Sequence, residues 1–407
     1  MLTKTNRRRF TRNFASAALA TVSPLPIANA KEKQHRIRKV DVLPTAVEFR
    51  SAFNIGVGKV GGEDLPGKHV FVRVETEEGQ VGWGATNTIP NWSYETIEAV
   101  TATLRHHLAP LALGKTPFEL NALKKEMDVT IRPAVSNGAP FAKSALEIAF
   151  LDVAGKIMKQ PLHVLLGGKI QNTIDLCFAV GIAEPKVMAD EVKRWPACTC
   201  FKVKVSGDTD KDLERLEAIS DVRPDADIWL DANQSYQAIE LGRFFTALRQ
   251  FKNIRCFEQP VRSEDWLGMG RARESSPYPI AIDEGCFSSF DVARMAQLNA
   301  ADLVVLKVSK SAGVTNCMKS AAVAEATGLG LLGSGLTDAG VSFMAAIHLY
   351  STMDLLLPPE LNGPQFLKHM MVEDIAMEGA TVKVPDRPGL GVTVSEDRIL
   401  ANQLKLI

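Results

Sequence analysis

From Gly168 onward, short β-branched or apolar runs alternate with amphipathic segments of helix length, and this repeat limits the folds open to the chain. The runs are TIDLCFAVG, TCFKVKVSG, ADIWLDAN, NIRCFEQPV, PIAIDEG, ADLVVLKVS and LGLLGSG, with a weaker DLLLPPEL last. Strands that alternate with helices build a parallel sheet covered by helices. Seven clear strands and one weak one predict an α/β fold of (β/α)8 barrel type. An open doubly wound sheet competes, but no GxGxxG-type turn follows the first strand.

Ahead of the repeat, KVDVLPTAVEF and HVFVRVETEEGQVGWG alternate apolar and polar residues, as an antiparallel meander would. Residues 94–157 then read as helical: SALEIAFLDVAGKIM has apolar residues at three-and-four spacing, closed by Pro161 and Gly167-Gly168. After Asp374 the sequence returns to short strands and turns, expected to pack back on the first domain. The predicted division is a mixed α+β domain over 31–165, a barrel over 166–370 and a C-terminal segment over 371–407.

Residues 1–30 differ from the rest. NRRRFTRNFASAALATVSPLPIANA has a basic start at Arg7, Arg8, Arg9 and Arg12, no acid, a modest apolar run and a small-residue site at Ala28-Asn29-Ala30. This is the layout of an export signal. The paired arginines resemble a twin-arginine signal, although Asn6 and Thr11 depart from the usual residues. A periplasmic protein beginning near Lys31 is expected, or a cytoplasmic one if the signal is unused. No later segment suits a membrane span. The 47 basic and 47 acidic side chains leave no electrostatic footprint for nucleic acid. The six cysteines show neither zinc-type pairs nor framework spacing, and most read as small buried hydrophobes.

Charged residues end the predicted strands. Asp231 closes IWLD, Glu258 closes RCFE, Asp283 closes IAID and Lys307 ends LVVLK, at separations of 27, 25 and 24 residues, about one βα unit each. Equivalent positions of successive barrel strands sit side by side at the C-terminal mouth. Three carboxylates would therefore converge and repel one another unless a cation joined them. Oxygen ligands without His or Cys nearby favour Mg2+, with Mn2+ as a substitute. In FKVKVSG, Lys202 and Lys204 share one side of the second strand. An inner barrel strand has no solvated face, so such ammoniums need partners.

The order Lys-x-Lys, Asp, Glu, Asp, Lys, with WLDAN, FEQP and IAIDEG, resembles the enolase superfamily, in its muconate-lactonising-enzyme-like (mandelate racemase/muconate lactonising enzyme) family. SALEIAFLDVAGKIMKQPLHVLLGG and LNGPQFL match as well, and the likeness runs from about Lys39 to the end. The resemblance implies a capping domain over a modified (β/α)7β barrel of TIM type, completed by the C-terminal segment. It also implies one magnesium ion held by Asp231, Glu258 and Asp283, removal of a proton α to a carboxylate, and a homo-oligomer, dimer or octamer. Lys202 is then the carboxylate-binding group, and Lys204 and Lys307 are acid–base residues on opposite faces of a small-molecule carboxylate.

Two opposed bases suit a racemase or epimerase of an amino-acid derivative. The same pair can serve a dehydratase acting on a hydroxylated amino acid, such as cis-3-hydroxyproline, or a muconate-type cycloisomerase; a catalytically silent carboxylate-binding protein is the non-enzyme reading. Specificity is expected from FNIGVGKVGGED, whose glycines suit a lid, and from Trp92 in NTIPNWSYE. Thr337 stands where many relatives carry Glu, and Asp338 follows; GLTD with LNGPQFL resembles the branch acting on proline derivatives. Glu284 and Lys310 are supporting candidates, with Lys310 expected to orient Glu284 or its loop. His348, inside a helical pattern, reads as a core residue.

Overall fold

The computed structural model describes residues 34–134 and 136–406; the export signal expected over residues 1–30 lies outside the described residues. The chain opens with β1 (Ile37–Val47), a short hairpin of β2 (Phe53–Ile55) and β3 (Gly58–Val60), and the longer β4 (Gly67–Thr76) and β5 (Val81–Thr88). β1, β4 and β5 form an antiparallel sheet with β4 in the middle. Helices α1 (Ile97–Thr103), α2 (Ala109–Ala112), α3 (Leu120–Thr130), α4 (Pro140–Met158) and α5 (Leu162–Leu165) follow.

α4 is buried continuously from Pro140 to Gly155, the polar Lys143, Ser144, Glu147 and Asp152 included. It lies on β5 at very short range, because a Cβ at Gly84 would collide with the Ala145 carbonyl oxygen and the Ala149 nitrogen. Asp152 on α4 accepts hydrogen bonds from Trp83 N at 2.8 Å, Leu390 N at 2.8 Å and Lys156 Nζ at 2.7 Å. One buried carboxylate thus ties the N-terminal sheet, the long helix and the C-terminal turn together.

β6 (Thr173–Asp175) leads into β7 (Phe178–Val180), and strict alternation follows: α6 (Pro185–Lys193), β8 (Cys200–Lys204), α7 (Thr209–Val222), β9 (Asp227–Asp231), α8 (Leu241–Leu248), β10 (Ile254–Glu258), α9 (Trp266–Ser275), β11 (Ile280–Ile282), α10 (Ser289–Leu298), β12 (Leu303–Leu306), α11 (Val314–Ala326), β13 (Gly330–Gly333) and α12 (Gly340–Tyr350). β7 to β13 form one seven-stranded parallel sheet in chain order. The architecture is a modified TIM-type barrel beneath an N-terminal capping domain. Inside the ring, Cys177, Cys200, Trp229, Cys256, Ala281, Leu303, Val305, Leu332 and Leu357 form a separate core cluster. All six cysteines are free and buried. No helix among the described residues is long and apolar enough to cross a membrane.

Two strands differ from their sequence patterns. TIDLCFAVG is not one strand: Thr173 and Asp175 are exposed around a buried Ile174, and this piece pairs antiparallel with β14 (Thr381–Lys383), leaving only the fully buried Phe178–Val180 in the barrel. DLLLPPEL is not a strand, because Pro358 and Pro359 offer no N–H to a ladder. A single residue does its work instead. Glu360 bridges Ser334 on one edge of the sheet and Cys177 on the other, with Glu360 N donating to Gly333 O and Cys177 N to Pro359 O. Beyond it, the C-terminal segment returns to β1, where Leu404 N donates to Pro44 O and Ala46 N to Asn402 O.

His348 is a core residue on α12. Its Nδ1 accepts from His163 N at 3.3 Å, so the proton sits on Nε2, which faces Leu390 O at 3.2 Å. Burial pushes its pKa down to about 4, and burial alone pushes that of His69 to about 3. Both imidazoles are therefore neutral when folded and would gain protons on unfolding below pH 6.5. The contribution of these two histidines should be full above pH 6.5 and be lost as the pH drops through about 4, with His348 accounting for up to about 3 kcal/mol. Thermal melts of His348→Gln should show a shallower loss over this window than the wild type; an identical slope would contradict it. Gly84→Ala should lower stability by about 1–3 kcal/mol through overpacking. Gly242→Ala, on α8 where an added Cβ would meet no other atom, should not lower it.

Candidate active site

The strand register sets the site. Lys204 on β8 pairs with Asp231 on β9, and Asp231 with Glu258 on β10, so three charged residues stand in one row at the strand exits. Asp283 directly follows β11, and Lys307 directly follows β12. β8 and β12 lie four positions apart in a ring of eight positions, so Lys204 and Lys307 face each other across the mouth. Lys202, one inward step below Lys204, lies 4.5 Å over the Trp229 ring that floors the site.

The charges are bound tightly to one another. Lys202 Nζ donates to Glu258 Oε1 at 2.9 Å and lies 3.1 Å from Asp231 Oδ2 and 3.8 Å from Glu360 Oε2. Lys204 Nζ donates to Asp231 Oδ2 at 2.5 Å, and Lys307 Nζ to Asp283 Oδ2 at 2.6 Å. Lys310 bonds Asp283, at its carbonyl oxygen (2.7 Å) and Oδ1 (2.6 Å), rather than Glu284. Its loop folds back there through left-handed residues at Ala312 and Gly313. Glu284 Oε1 instead accepts from Asn233 Nδ2 at 3.0 Å.

Six carboxylates (Asp231, Glu258, Asp283, Glu284, Asp338, Glu360) meet four ammoniums (Lys202, Lys204, Lys307, Lys310), none of the residues more than 8% exposed. Two formal negative charges are left over. Burial opposes the Asp231 charge, but Lys202 and Lys204 outweigh it and hold its pKa below the usual range. For Asp283, Lys307, Lys310 and Lys202 overcome burial in the same way. Burial disfavours the Lys202 ammonium, yet Asp231, Glu258 and Glu360 hold its pKa well above the ordinary value. The surplus falls on the other acids. Burial and the Asp231 charge drive Glu258 well above the carboxylate range, and burial with Asp283 and Asp231 pushes Glu284 up to about 7.

Carboxylate oxygens of Glu258, Asp283 and Glu284 lie within 4.8 Å of one another, and Glu258 Oε2 and Glu284 Oε2 are buried with no hydrogen-bond partner among the described residues. Unsatisfied buried oxygens and a formal surplus of acids over lysines suit a hard divalent cation. The acidic cluster is thus capable of coordinating a divalent metal.

Above the charges is a cavity lined by Lys204 and Lys307 together with Phe53, Ile55, Val60, Ile89, Trp92, Leu336, Thr337, Glu360 and Asn362. The glycine-rich segment FNIGVGKVGGED, as the β2–β3 hairpin, supplies three of its lining residues, Phe53, Ile55 and Val60. Trp92 lies 4.0 Å over Lys307 Nζ. Thr337 is left-handed at φ +58°, in a loop that Asn87 of β5 grips through Leu336 O. Asp338 Oδ2 accepts from Leu336 N at 3.0 Å, and burial raises its pKa. Sequence reasoning missed Glu360 and Asn362, which follow the two prolines without a strand to mark them. It also missed Asn233 and Gln259. Asn233 N donates to Asp231 Oδ1 at 2.8 Å, and Gln259 Oε1 accepts from Asp283 N at 3.0 Å, so the amide in WLDAN holds Asp231 and the one in FEQP holds the backbone of Asp283 on the next strand.

Comparison with known proteins places this arrangement. The family model described as mandelate racemase / muconate lactonizing enzyme, N-terminal domain, matches residues 38–167, and the one described as enolase C-terminal domain-like matches residues 187–398. The N-succinyl-L-Arg/Lys racemase of Bacillus cereus is 30% identical over 370 residues, covering 89% of this chain and 97% of that protein. Its crystal structure superposes with a TM-score of 0.85 over 91% of this chain and 98% of its own, at 28% identity. Muconate lactonizing enzyme from Pseudomonas fluorescens, solved with muconolactone, gives a TM-score of 0.85 at 26% identity over 91% of this chain and all of its own. A dipeptide epimerase from Enterococcus faecalis, solved with Mg and the dipeptide L-Leu-L-Tyr, gives 0.81 at 26% identity over 88% of this chain and 99% of its own. With both domains matched and the charged mouth in place, the chain belongs to the enolase superfamily, in its mandelate-racemase/muconate-lactonizing-enzyme-like family.

Proposed function

We propose that this chain is an isomerase that removes a proton α to a carboxylate, through an enediolate, as a magnesium-dependent racemase or epimerase of an amino-acid derivative. One observation carries the reading: two lysines from opposite sides of the ring line a single cavity directly above the acids. Asp231, Glu258 and Asp283 are the proposed ligands, because Asp231 and Glu258 share one register level and Asp283 follows on the next strand. Glu284 supplies charge beside them while tied to Asn233. When bound, the dication would polarise the substrate carboxylate and offset the second negative charge that develops there.

Lys202 adds a fixed positive charge next to Asp231 and Glu258, where the substrate carboxylate would lie. One of Lys204 and Lys307, as free amine, takes the α-proton onto Nζ. The other, as ammonium, returns a proton to the opposite face, and configuration inverts with no change in formula. Trp92 covers Lys307 and excludes water from its flank. The Bacillus cereus racemase and the Enterococcus faecalis epimerase support this fate for the intermediate. The muconate relatives favour cycloisomerisation as the second reading. We also propose that residues 1–30 direct export; a mature N-terminus near Lys31 in a periplasmic fraction would support this.

Lys204→Ala and Lys307→Ala should each lower racemisation at least about a thousandfold. In deuterium oxide each variant should still exchange the α-proton of one enantiomer only, and full racemisation by either would contradict the two-base assignment. Magnesium titration should show Asp231→Asn and Glu258→Gln weakened at least about tenfold, and Glu284→Gln much less. Equal losses in Asp231→Asn and Glu284→Gln would count against Asp231 as a ligand.

A further inference from the structure

One buried charge of the capping domain touches the barrel away from the charged mouth. Glu147, on α4, is fully buried, where a hydrophobic residue would pack at no greater cost. Its Oε1 accepts from Thr315 Oγ1 and lies 3.2 Å from Lys124 Nζ on α3. Lys124 Nζ also donates to Asn316 Oδ1 at 3.0 Å. Thr315 and Asn316 stand in the first turn of α11, the end of a helix that favours a negative charge. Glu147 Oε2 is buried with no hydrogen-bond partner among the described residues, and it lies against Gly313, where an added Cβ would land on it.

Gly313 ends the turn that carries Lys307 and Lys310. Ser311 N donates to Lys307 O at 3.1 Å, Ala312 N to Ser309 O at 3.2 Å and Gly313 N to Val308 O at 3.0 Å. Ala312 and Gly313 close the turn at φ +60° and +118°, outside the conformations most side chains adopt. Lys204 is held inside a strand by its pairing with Asp231, whereas Lys307 lies past the end of β12 and takes its place from this turn. The capping domain grips the turn at a second point, because Thr86 Oγ1 of β5 donates to Ser309 Oγ at 3.1 Å.

We propose that Glu147 is a positioning residue: its carboxylate fixes the start of α11 and the turn before it, and so holds Lys307 and Lys310 on Asp283. It is not among the residues that line the cavity. The consequence for catalysis rests on the reading of Lys307 as an acid–base group, and the hold on the turn does not. A carboxylate suits the place because one oxygen accepts from Thr315 beside the Lys124 charge, and the other turns no hydrogen on Gly313. In Glu147→Gln the amide must aim its N–H groups at the Gly313 Cα or at the Lys124 ammonium, and neither accepts them.

Competitive acetylation of the lysines with acetic anhydride in magnesium, read residue by residue by mass spectrometry, tests this. In Glu147→Gln, Lys307 and Lys310 should label at least about tenfold faster than in the wild type, with Lys204 unchanged within about twofold. If that variant does not fold, Thr315→Val, which removes one donor at a half-buried position, should show the same selective rise, at least about threefold. Unchanged rates at Lys307 and Lys310 would overturn the proposal. So would an equal rise at all three lysines, because a general loosening of the fold spares none of them. The labelling uses no substrate and therefore holds or fails apart from the proposed reaction. Full racemisation by Lys307→Ala would strike the two-base assignment and leave the hold of Glu147 on the turn standing.

Discussion

Ten ionisable side chains in a nearly dry barrel mouth must come close to neutrality, and the rest of the site depends on how they do so. An isolated buried charge is too costly to persist, so each ion must be paired, protonated or joined by a cation. Four lysines pair with Asp231, Asp283 and part of Glu258, and the residual strain falls on Glu258 and Glu284, whose carboxyls are pushed toward the protonated form. The same surplus of acids that makes the site unfavourable for the fold makes it receptive to a dication.

The fold supplies the rigidity this needs. The acids and Lys204 stand on parallel strands whose register fixes their spacing, over a floor of Trp229 and small buried residues. Asn233, Gln259 and Lys310 each hold an acid from behind. The capping domain reaches in at three places, with the β2–β3 hairpin, Trp92 and Asn87, so part of the cavity's lining belongs to a different part of the chain from the row of acids. Loops carrying specificity on a scaffold that carries catalysis can vary without disturbing the row of acids. The family's spread over racemases, epimerases and cycloisomerases is consistent with that division.

Much of this was legible in the sequence because parallel barrel strands are short, buried runs and their exits repeat once per βα unit. Asp231, Glu258, Asp283 and Lys307 announced themselves by that spacing, and Lys202 with Lys204 by period-two parity. Other features were hidden for physical reasons. Glu360 closes the ring as a single bridge after two prolines, so no strand pattern surrounds it. TIDLCFAVG changes partner halfway, from an antiparallel ribbon to the barrel, and only its exposure pattern shows the break. The supports Asn233 and Gln259 act through hydrogen bonds to the exits of other strands, which periodicity does not encode.

The central claim is that one dication completes the charge of the mouth. Titration of the metal-free protein with magnesium, followed by calorimetry, measures this most directly. Saturable binding of one ion per chain is the expected result. Absence of saturable binding, or uptake of two ions per chain, would contradict it.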